Sequence, residues 1–180
     1  MFTVLFWNIK GQTEPRLITS LAYEHDVDVL ILAESSIDST LLLDQLNRNL
    51  TVSEDNIYQD EPFSADLTST AVAIYTRLAK ANFLSIHDEK KLAIRALRLP
   101  RTEEIILVGL HLPSAMNMDS TDRAALSAEW NRTIADAESK RGHVRTIVVG
   151  DFNMNPFDLG MIQHNGFNAT MCRQIAKRKS

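Results

Sequence analysis

The stretch that most constrains the fold is an apolar run that stops at a polar turn. Residues 147–149 read Ile-Val-Val, and Gly150, Asp151, Phe152 and Asn153 follow directly. Successive β-branched residues predict a buried strand, and open α/β sheets place their chemistry at the carboxyl ends of strands. Asp151 and Asn153 are therefore expected at the mouth of a site. An Asx turn that merely closes the strand explains this segment alone equally well.

Three other apolar runs also end on a polar side chain. They occupy residues 2–7, 27–33 and 105–110 and lead to Asn8, Glu34 and His111. A strand, a helix and a second strand between residues 2 and 34 predict a crossover unit, which would put Asn8 and Glu34 at neighbouring strand ends. Glu34 could simply point into water, and a lone histidine is commonly a framework residue. The repeated strand-end position favours a functional role for both.

The rest of the chain predicts a mixture of antiparallel strands and helices. Residues 71–99 contain three strand-like segments in succession without long helices, which indicates an antiparallel portion. Residues 119–141 have the period of a long amphipathic helix, with Trp130 as a core residue. Arg77 and Arg95, in or beside these strands, could clamp a substrate phosphate, although arginines in framework salt bridges are commoner.

Length and composition indicate one globular domain over residues 1–180. The chain has 180 residues, of which 44% are hydrophobic, which suffices for a core. Its longest apolar runs have the length of strands, and the first residues lack a leader pattern, so we expect a cytoplasmic protein without a membrane segment. The single cysteine, Cys172, excludes an internal disulfide. The net charge of -4 gives no basic footprint for phosphate binding.

The polar strand ends together suggest metal-assisted chemistry on phosphate. Carboxylate and amide oxygens are the ligands that Mg²⁺ or Mn²⁺ prefers. A second carboxylate can take a proton from water, while amide and imidazole donors meet the charge on phosphate oxygens. The residues therefore predict a site for phosphoester hydrolysis.

In their order and spacing, these motifs resemble the endonuclease/exonuclease/phosphatase family, whose fold is DNase-I-like. The resemblance rests on residues 7–9 (Trp-Asn-Ile), 30–34 (Leu-Ile-Leu-Ala-Glu), 111–114 (His-Leu-Pro-Ser) and 150–153 (Gly-Asp-Phe-Asn). It implies an α+β fold, an α/β/β/α four-layer sandwich. It also implies site roles, in which Glu34 binds the metal with Asn8 beside it and Asp151 activates water. Asn153 and His111 would orient and stabilise the phosphate.

The sequence departs from the family pattern at several places. Lys10, Ala33 and His111 stand where members that cleave at abasic sites usually carry other residues, which places the chain nearer the DNase-I-like and phosphodiesterase branch. The family's closing Asp-His motif does not occur in this sequence, and neither His143 nor His164 is expected to replace it. We therefore expect a C-terminally incomplete form that lacks the final strands of the second sheet. Such a form could be inactive and could self-associate through an exposed sheet edge.

Taken together, these features predict a magnesium-dependent phosphodiesterase, with a nuclease and a nucleic-acid substrate favoured. The acidic net charge keeps open a phosphomonoesterase, or a phosphodiesterase acting on a lipid or small molecule. A degenerate binding or interaction module that has lost its last motif is the alternative without catalysis.

Overall fold

The computed structural model describes residues 2–12, 14–48, 62–66, 71–99, 101–170, 172 and 174. In this part of the chain two four-stranded sheets pack face to face, with helices on the outside. The α+β four-layer sandwich expected from the sequence is confirmed.

The first half of the chain forms the first sheet and two helices. Its elements are β1 (Val4–Asn8), α1 (Arg16–Glu24), β2 (Val29–Ala33), α2 (Ser39–Asn47), β3 (Ser64–Asp66) and β4 (Val72–Thr76). The sheet has the order β1-β2-β4-β3. β1 and β2 are parallel and are joined through α1, as the predicted crossover requires, whereas β4 runs antiparallel to β2.

The second half of the chain forms the second sheet. Its elements are β5 (Phe83–Glu89), β6 (Leu92–Leu97), β7 (Ile105–His111), α3 (Ser120–Arg141), β8 (Thr146–Asp151) and α4 (Leu159–Ile162). β5, β6 and β7 are successive antiparallel neighbours, which confirms the predicted antiparallel portion. α3 then carries the chain across to β8, which pairs in parallel with β7.

The long helix α3 is capped at both ends. The Asp119 side chain accepts a hydrogen bond of 2.8 Å from the backbone N–H of Asp122 and so satisfies a donor of the first turn. Gly142 ends the helix in the left-handed conformation, with φ +72°. The predicted start at residue 119 was therefore correct to within one position.

Strand alternation divides the core into layers. In β2, Val29 and Ile31 face the other sheet, while Leu30 and Leu32 face the helices of the first half. Trp130 of α3 is buried against the second sheet, as predicted. Because successive strand residues point to opposite faces, a continuous apolar run can serve both the sheet interface and the helix layer.

β1 and β8 are the edge strands on the same side of the sandwich, where they contact each other. No residue of either strand is fully buried, and Ile147 of β8 is 44% exposed. As far as the described residues go, this side therefore presents an open edge in both sheets.

Some sequence-based expectations fall outside the described residues. Thr13, the predicted cap of α1, is one of them, and the helix begins after Pro15 without a side-chain cap. Most of the predicted loop over residues 51–69 also lies outside the described residues, as does most of a C-terminal helix expected over residues 171–179. Within the described chain, none of the helices combines the length and the apolar character needed to cross a membrane.

Candidate active site

Two parallel strand pairs carry the polar strand-end residues to one end of the sandwich. In the first sheet, Asn8 lies opposite Ala33, and Glu34 follows immediately. In the second sheet, His111 lies opposite Asp151. Because β1 contacts β8, these two pairs meet across the interface between the sheets.

Asn8 connects the two carboxylates. Its Nδ2 donates to Oε1 of Glu34 at 3.2 Å and to Oδ2 of Asp151 at 3.0 Å. Its Oδ1 accepts from the backbone N–H of Lys10 at 3.0 Å, which fixes the orientation of the amide. The N–H groups of one side chain thus lie between two negative charges that would otherwise repel each other.

The backbone at this end is left-handed at three side-chain-bearing residues. Lys10, Glu34 and Asn153 have φ values of 50°, 52° and 47°. Three of the six described non-glycine residues with positive φ therefore lie in this one place. Such a conformation costs about 1–3 kcal/mol per residue and clusters at functional sites. Here the left-handed conformation turns the chain directly after a strand end. The backbone N–H of Gly11 stabilises the turn at Glu34 by donating to the Glu34 carbonyl at 2.7 Å.

His111 is buried without a hydrogen bond to its ring. The residue is 4% exposed, and neither ring nitrogen has a hydrogen-bond partner among the described residues. Its Nε2 lies 3.0 Å from Oε1 of Glu34, but the angle is not that of a hydrogen bond. Burial and the charge of Lys91 lower the imidazole pKa, against the opposing influence of Glu34 and Asp151. The net effect favours the neutral form of the imidazole.

Asn153 holds Asp151 in place. Its backbone N–H donates to Oδ1 of Asp151 at 3.0 Å, and its Nδ2 donates to the carbonyl of Leu112 at 2.7 Å. The buried Arg123 donates to the Asn153 carbonyl from the side of α3. The amide that the sequence assigned to phosphate binding is therefore also engaged in fixing the turn after β8.

The structure does not bring Arg77 or Arg95 to this group. β4 is antiparallel to β2, so Arg77 lies at the opposite end from Glu34, where it pairs with Asp26 at 2.6 Å and Asp28 at 3.1 Å. Arg95 lies opposite the middle of β7 and is fully buried. It forms ion pairs with Asp66 at 2.7 Å and Asp88 at 2.8 Å. Both side chains belong to framework ion pairs.

Lys91 lies beside the candidate site, although the sequence alone did not point to it. It lies in the turn between β5 and β6, and its carbonyl accepts from the backbone N–H of His111 at 2.9 Å. A pair of lysines in a turn looks like ordinary solvated surface. Only the register that places Leu92 opposite Leu110 shows that this turn lies beside the site.

The donor set fits a hard divalent cation in its chemistry. Within the described residues, no three His, Cys, Asp or Glu side chains already form a metal-binding group. The carboxylates of Glu34 and Asp151 and the amide of Asn8 are nevertheless adjacent, and Mg²⁺ is commonly held by one or two carboxylates with water completing its shell. Asn8 would have to turn its oxygen toward the ion. The unpaired His111 nitrogens indicate further capacity for a polar ligand.

Comparison with known proteins agrees with this architecture. The human Nocturnin catalytic domain with bound sulfate anion matches with a TM-score of 0.63 at 14% identity, over 91% of this chain and 70% of that one. A humanized D. rerio TDP2 matches with a TM-score of 0.61 at 18% identity, over 99% and 78% of the two chains. ANGEL2, a 2',3'-cyclic phosphatase, matches with a TM-score of 0.61 at 14% identity, over 89% and 55%. No curated protein sequence matches the chain.

These structural likenesses are at low identity and show the shared fold. The family assignment rests on sequence, because the model of the Endonuclease/Exonuclease/phosphatase family matches residues 5–168. That region begins inside β1 and extends beyond α4, so it contains both crossovers and every polar strand end. The chain belongs to the endonuclease/exonuclease/phosphatase family.

Proposed function

We propose that this protein is a metal-dependent phosphodiester hydrolase whose substrate is a nucleic acid. The observation that carries the proposal is the meeting of four strand ends from two sheets. Asn8, Glu34, His111 and Asp151 lie there in a chain of contacts, each within 3.2 Å, and the buried imidazole has no hydrogen-bond partner among the described residues. An unpaired buried polar group costs about 1–3 kcal/mol. The unpaired nitrogens therefore favour a ligand-binding role for this cluster over a purely structural one.

Glu34 and Asn8 are the residues that would hold Mg²⁺ or Mn²⁺. When bound, the cation would withdraw charge from the phosphate oxygens. Glu34 is suited to this role because its left-handed backbone presents the carboxylate at the end of β2. Asn8 carries no charge, and the lowered pKa of His111 favours its neutral form, so neither neighbour competes with the ion.

Asp151 would take the proton from the attacking water. Hydrogen bonds to both oxygens orient its carboxylate. The Asn153 backbone N–H donates to Oδ1, and the Asn8 side chain donates to Oδ2. A general base must be held in this way within hydrogen-bond reach of the proton that it removes. A ring N–H of the neutral His111 would donate to a phosphate oxygen, and Asn153 would keep both the turn and Asp151 in place.

The test is hydrolysis of plasmid DNA, RNA and bis-p-nitrophenyl phosphate with and without Mg²⁺ or Mn²⁺. We expect the wild-type protein to be active with the metal and Asp151→Asn to lose at least about 100-fold in kcat, as removal of a general base does. Glu129→Gln, an exposed carboxylate change on α3, is the control. The proposal fails if no substrate is cleaved with either metal, or if Asp151→Asn is as active as the wild type.

Metal binding tests the alternative of an interaction module without catalysis. We expect isothermal titration calorimetry to detect binding of Mg²⁺ or Mn²⁺ to the wild type and to show none for Glu34→Gln. A module that had lost its chemistry need not bind either ion, so the absence of binding to the wild type would favour that alternative.

The net charge of -4 favours one other substrate class, a small or monoester phosphate compound. Such a substrate does not need the extended positive surface that a polynucleotide usually meets. Preferential cleavage of p-nitrophenyl phosphate, together with salt-independent affinity for DNA and RNA, would support this second candidate over a nuclease.

A further inference from the structure

Two lysines, one from each sheet, adjoin the candidate site. Lys10 follows β1 in the first sheet, and its backbone N–H donates to Asn8 at 3.0 Å. Lys91 precedes β6 in the second sheet, and its carbonyl accepts from His111 at 2.9 Å. Each lysine is therefore one hydrogen bond away from a proposed active-site residue, and each belongs to a different sheet.

Within the described part of the chain, neither ammonium group has a charged partner. Among the residues that the structure describes, no carboxylate lies within ion-pair distance of Lys10 or Lys91, although Glu34 and Asp151 are close by. Arg77 and Arg95, by contrast, each pair with two aspartates. The two arginines thus have carboxylate partners. Among the described residues the two lysines have none, so they are available to an anionic ligand.

The two lysines also lie where an anion is needed. Lys10 is exposed and Lys91 is half-buried, so both side chains are accessible from solvent. The positive charge of Lys91 also acts on the His111 ring. Burial is the larger cause of the lowered imidazole pKa, and the charge of Lys91 is the second. Positive charge from both sheets therefore borders a centre that carries two carboxylates.

We propose that Lys10 and Lys91 bind the phosphates on either side of the scissile one, so that the preferred substrate is an internal phosphodiester within a polynucleotide strand. This inference rests on the proposed function. A strand carries a phosphate at every nucleotide, so a scissile phosphate at the centre has negative neighbours on both sides. A monoester, or an isolated diester, has none.

The experiment compares an oligonucleotide cut at an internal position with bis-p-nitrophenyl phosphate. The measured quantity is the ratio of the two kcat/KM values for the wild type, Lys10→Gln, Lys91→Gln and the double variant. We expect each single change to lower this ratio roughly tenfold, the effect of one lost charge-assisted contact. Lys140→Gln, an exposed lysine at the far end of α3, should leave the ratio unchanged.

Salt dependence gives a second readout. Each lysine lost should make the slope of log KM against log salt shallower by about 0.7, the value for one contact to a single strand. Lys10→Arg and Lys91→Arg should restore both the slope and the ratio, because they keep the charge.

The outcomes separate the two proposals. If the wild type cleaves neither substrate, the proposed function itself fails. If it cleaves both and the lysine variants leave the ratio and the slope unchanged, or if arginine does not rescue them, the flanking-phosphate role is overturned while the hydrolase remains.

Discussion

At Gly150, the residue before Asp151, there is no room for a side chain. A Cβ built there would lie 2.2 Å from the carbonyl oxygen of Leu110, on the neighbouring strand β7. The contact is with backbone, which cannot turn aside as a side chain would. Glycine at this position lets β8 approach β7 closely and so sets where Asp151 lies relative to His111.

We therefore predict that Gly150→Ala lowers the free energy of unfolding by about 1–3 kcal/mol, the usual cost of overpacking. Gly109→Ala is the matched control, because its Cβ would meet only the side chains of Ile31 at 3.3 Å and Val72 at 3.4 Å, which can shift. Urea unfolding monitored by circular dichroism measures both. Equal losses in the two variants would contradict the special role of the Leu110 carbonyl.

For individual residues, the sequence indicated which strand-end side chains meet but not how these side chains are oriented. Asn8, Glu34, His111 and Asp151 each followed an apolar run, and such runs end at a common edge. The ion pairs of Arg77 could not be predicted, since they depend on the antiparallel pairing of β4 with β2. The structural role of Asn153 in fixing the turn after β8 also could not be predicted from the sequence. Its hydrogen bond to Leu112 joins two strand ends that are 41 residues apart.

At the scale of elements, one carboxylate ties the end of α3 to the second sheet. Glu104, just before β7, is 15% exposed and accepts from Arg141 at the end of α3, from Arg98 after β6 and from His143 before β8. Hydrogen bonding from Arg141 is the main reason that the pKa of Glu104 falls from 4.5 to about 2, against an opposing effect of burial.

This pairing predicts a pH-dependent contribution to stability. Because folding lowers the pKa of Glu104, the unfolded state binds its proton more readily, so the contribution is complete above pH 4.5 and disappears as the pH falls toward 2. We expect Glu104→Gln to cost about 1–2 kcal/mol at pH 7, since water near the surface moderates the pair, and almost nothing near pH 2.

Urea unfolding at a series of pH values measures this difference. Glu103→Gln is the neighbouring control, because Glu103 is 77% exposed in its pair with Arg145. A Glu104→Gln cost that stayed constant from pH 7 to pH 2 would show that the loss is one of packing and not of charge.

The elements themselves were largely predictable from the sequence. The crossover through α1, the antiparallel succession from β5 to β7 and the long α3 all had clear periods or caps. The position of Lys91 was not predictable, because its proximity to His111 follows from the register of β6 on β7. Pairing between distant strands is the information that local patterns do not contain.

At the scale of the whole molecule, the described residues of both sheets leave an edge on the side of β1 and β8. Unpaired backbone groups with apolar side chains on such an edge can pair with another chain. We predict concentration-dependent self-association of the wild-type protein in sedimentation velocity. Ile147→Lys should weaken it, because a lysine on an edge strand opposes pairing.

Ile162→Lys is the control for this prediction. Ile162 on α4 is 45% exposed, against 44% for Ile147, so the two changes remove similar apolar surface and add the same charge. If both variants weaken association equally, general surface hydrophobicity and not the β8 edge is responsible. A wild-type protein that stays monomeric at all concentrations would exclude association through the edge.

The bond between Asn8 and Asp151 joins residues 143 positions apart, which has a consequence for synthesis. At about 5–20 residues per second, a ribosome needs roughly 7–30 s to advance from the first of these residues to the second. In the second half of that interval the strands of the first sheet have been synthesised, while the face of β2 that bears Val29 and Ile31 still lacks most of its covering sheet. The nascent chain therefore carries an uncovered apolar face for seconds, and during that time aggregation competes with folding.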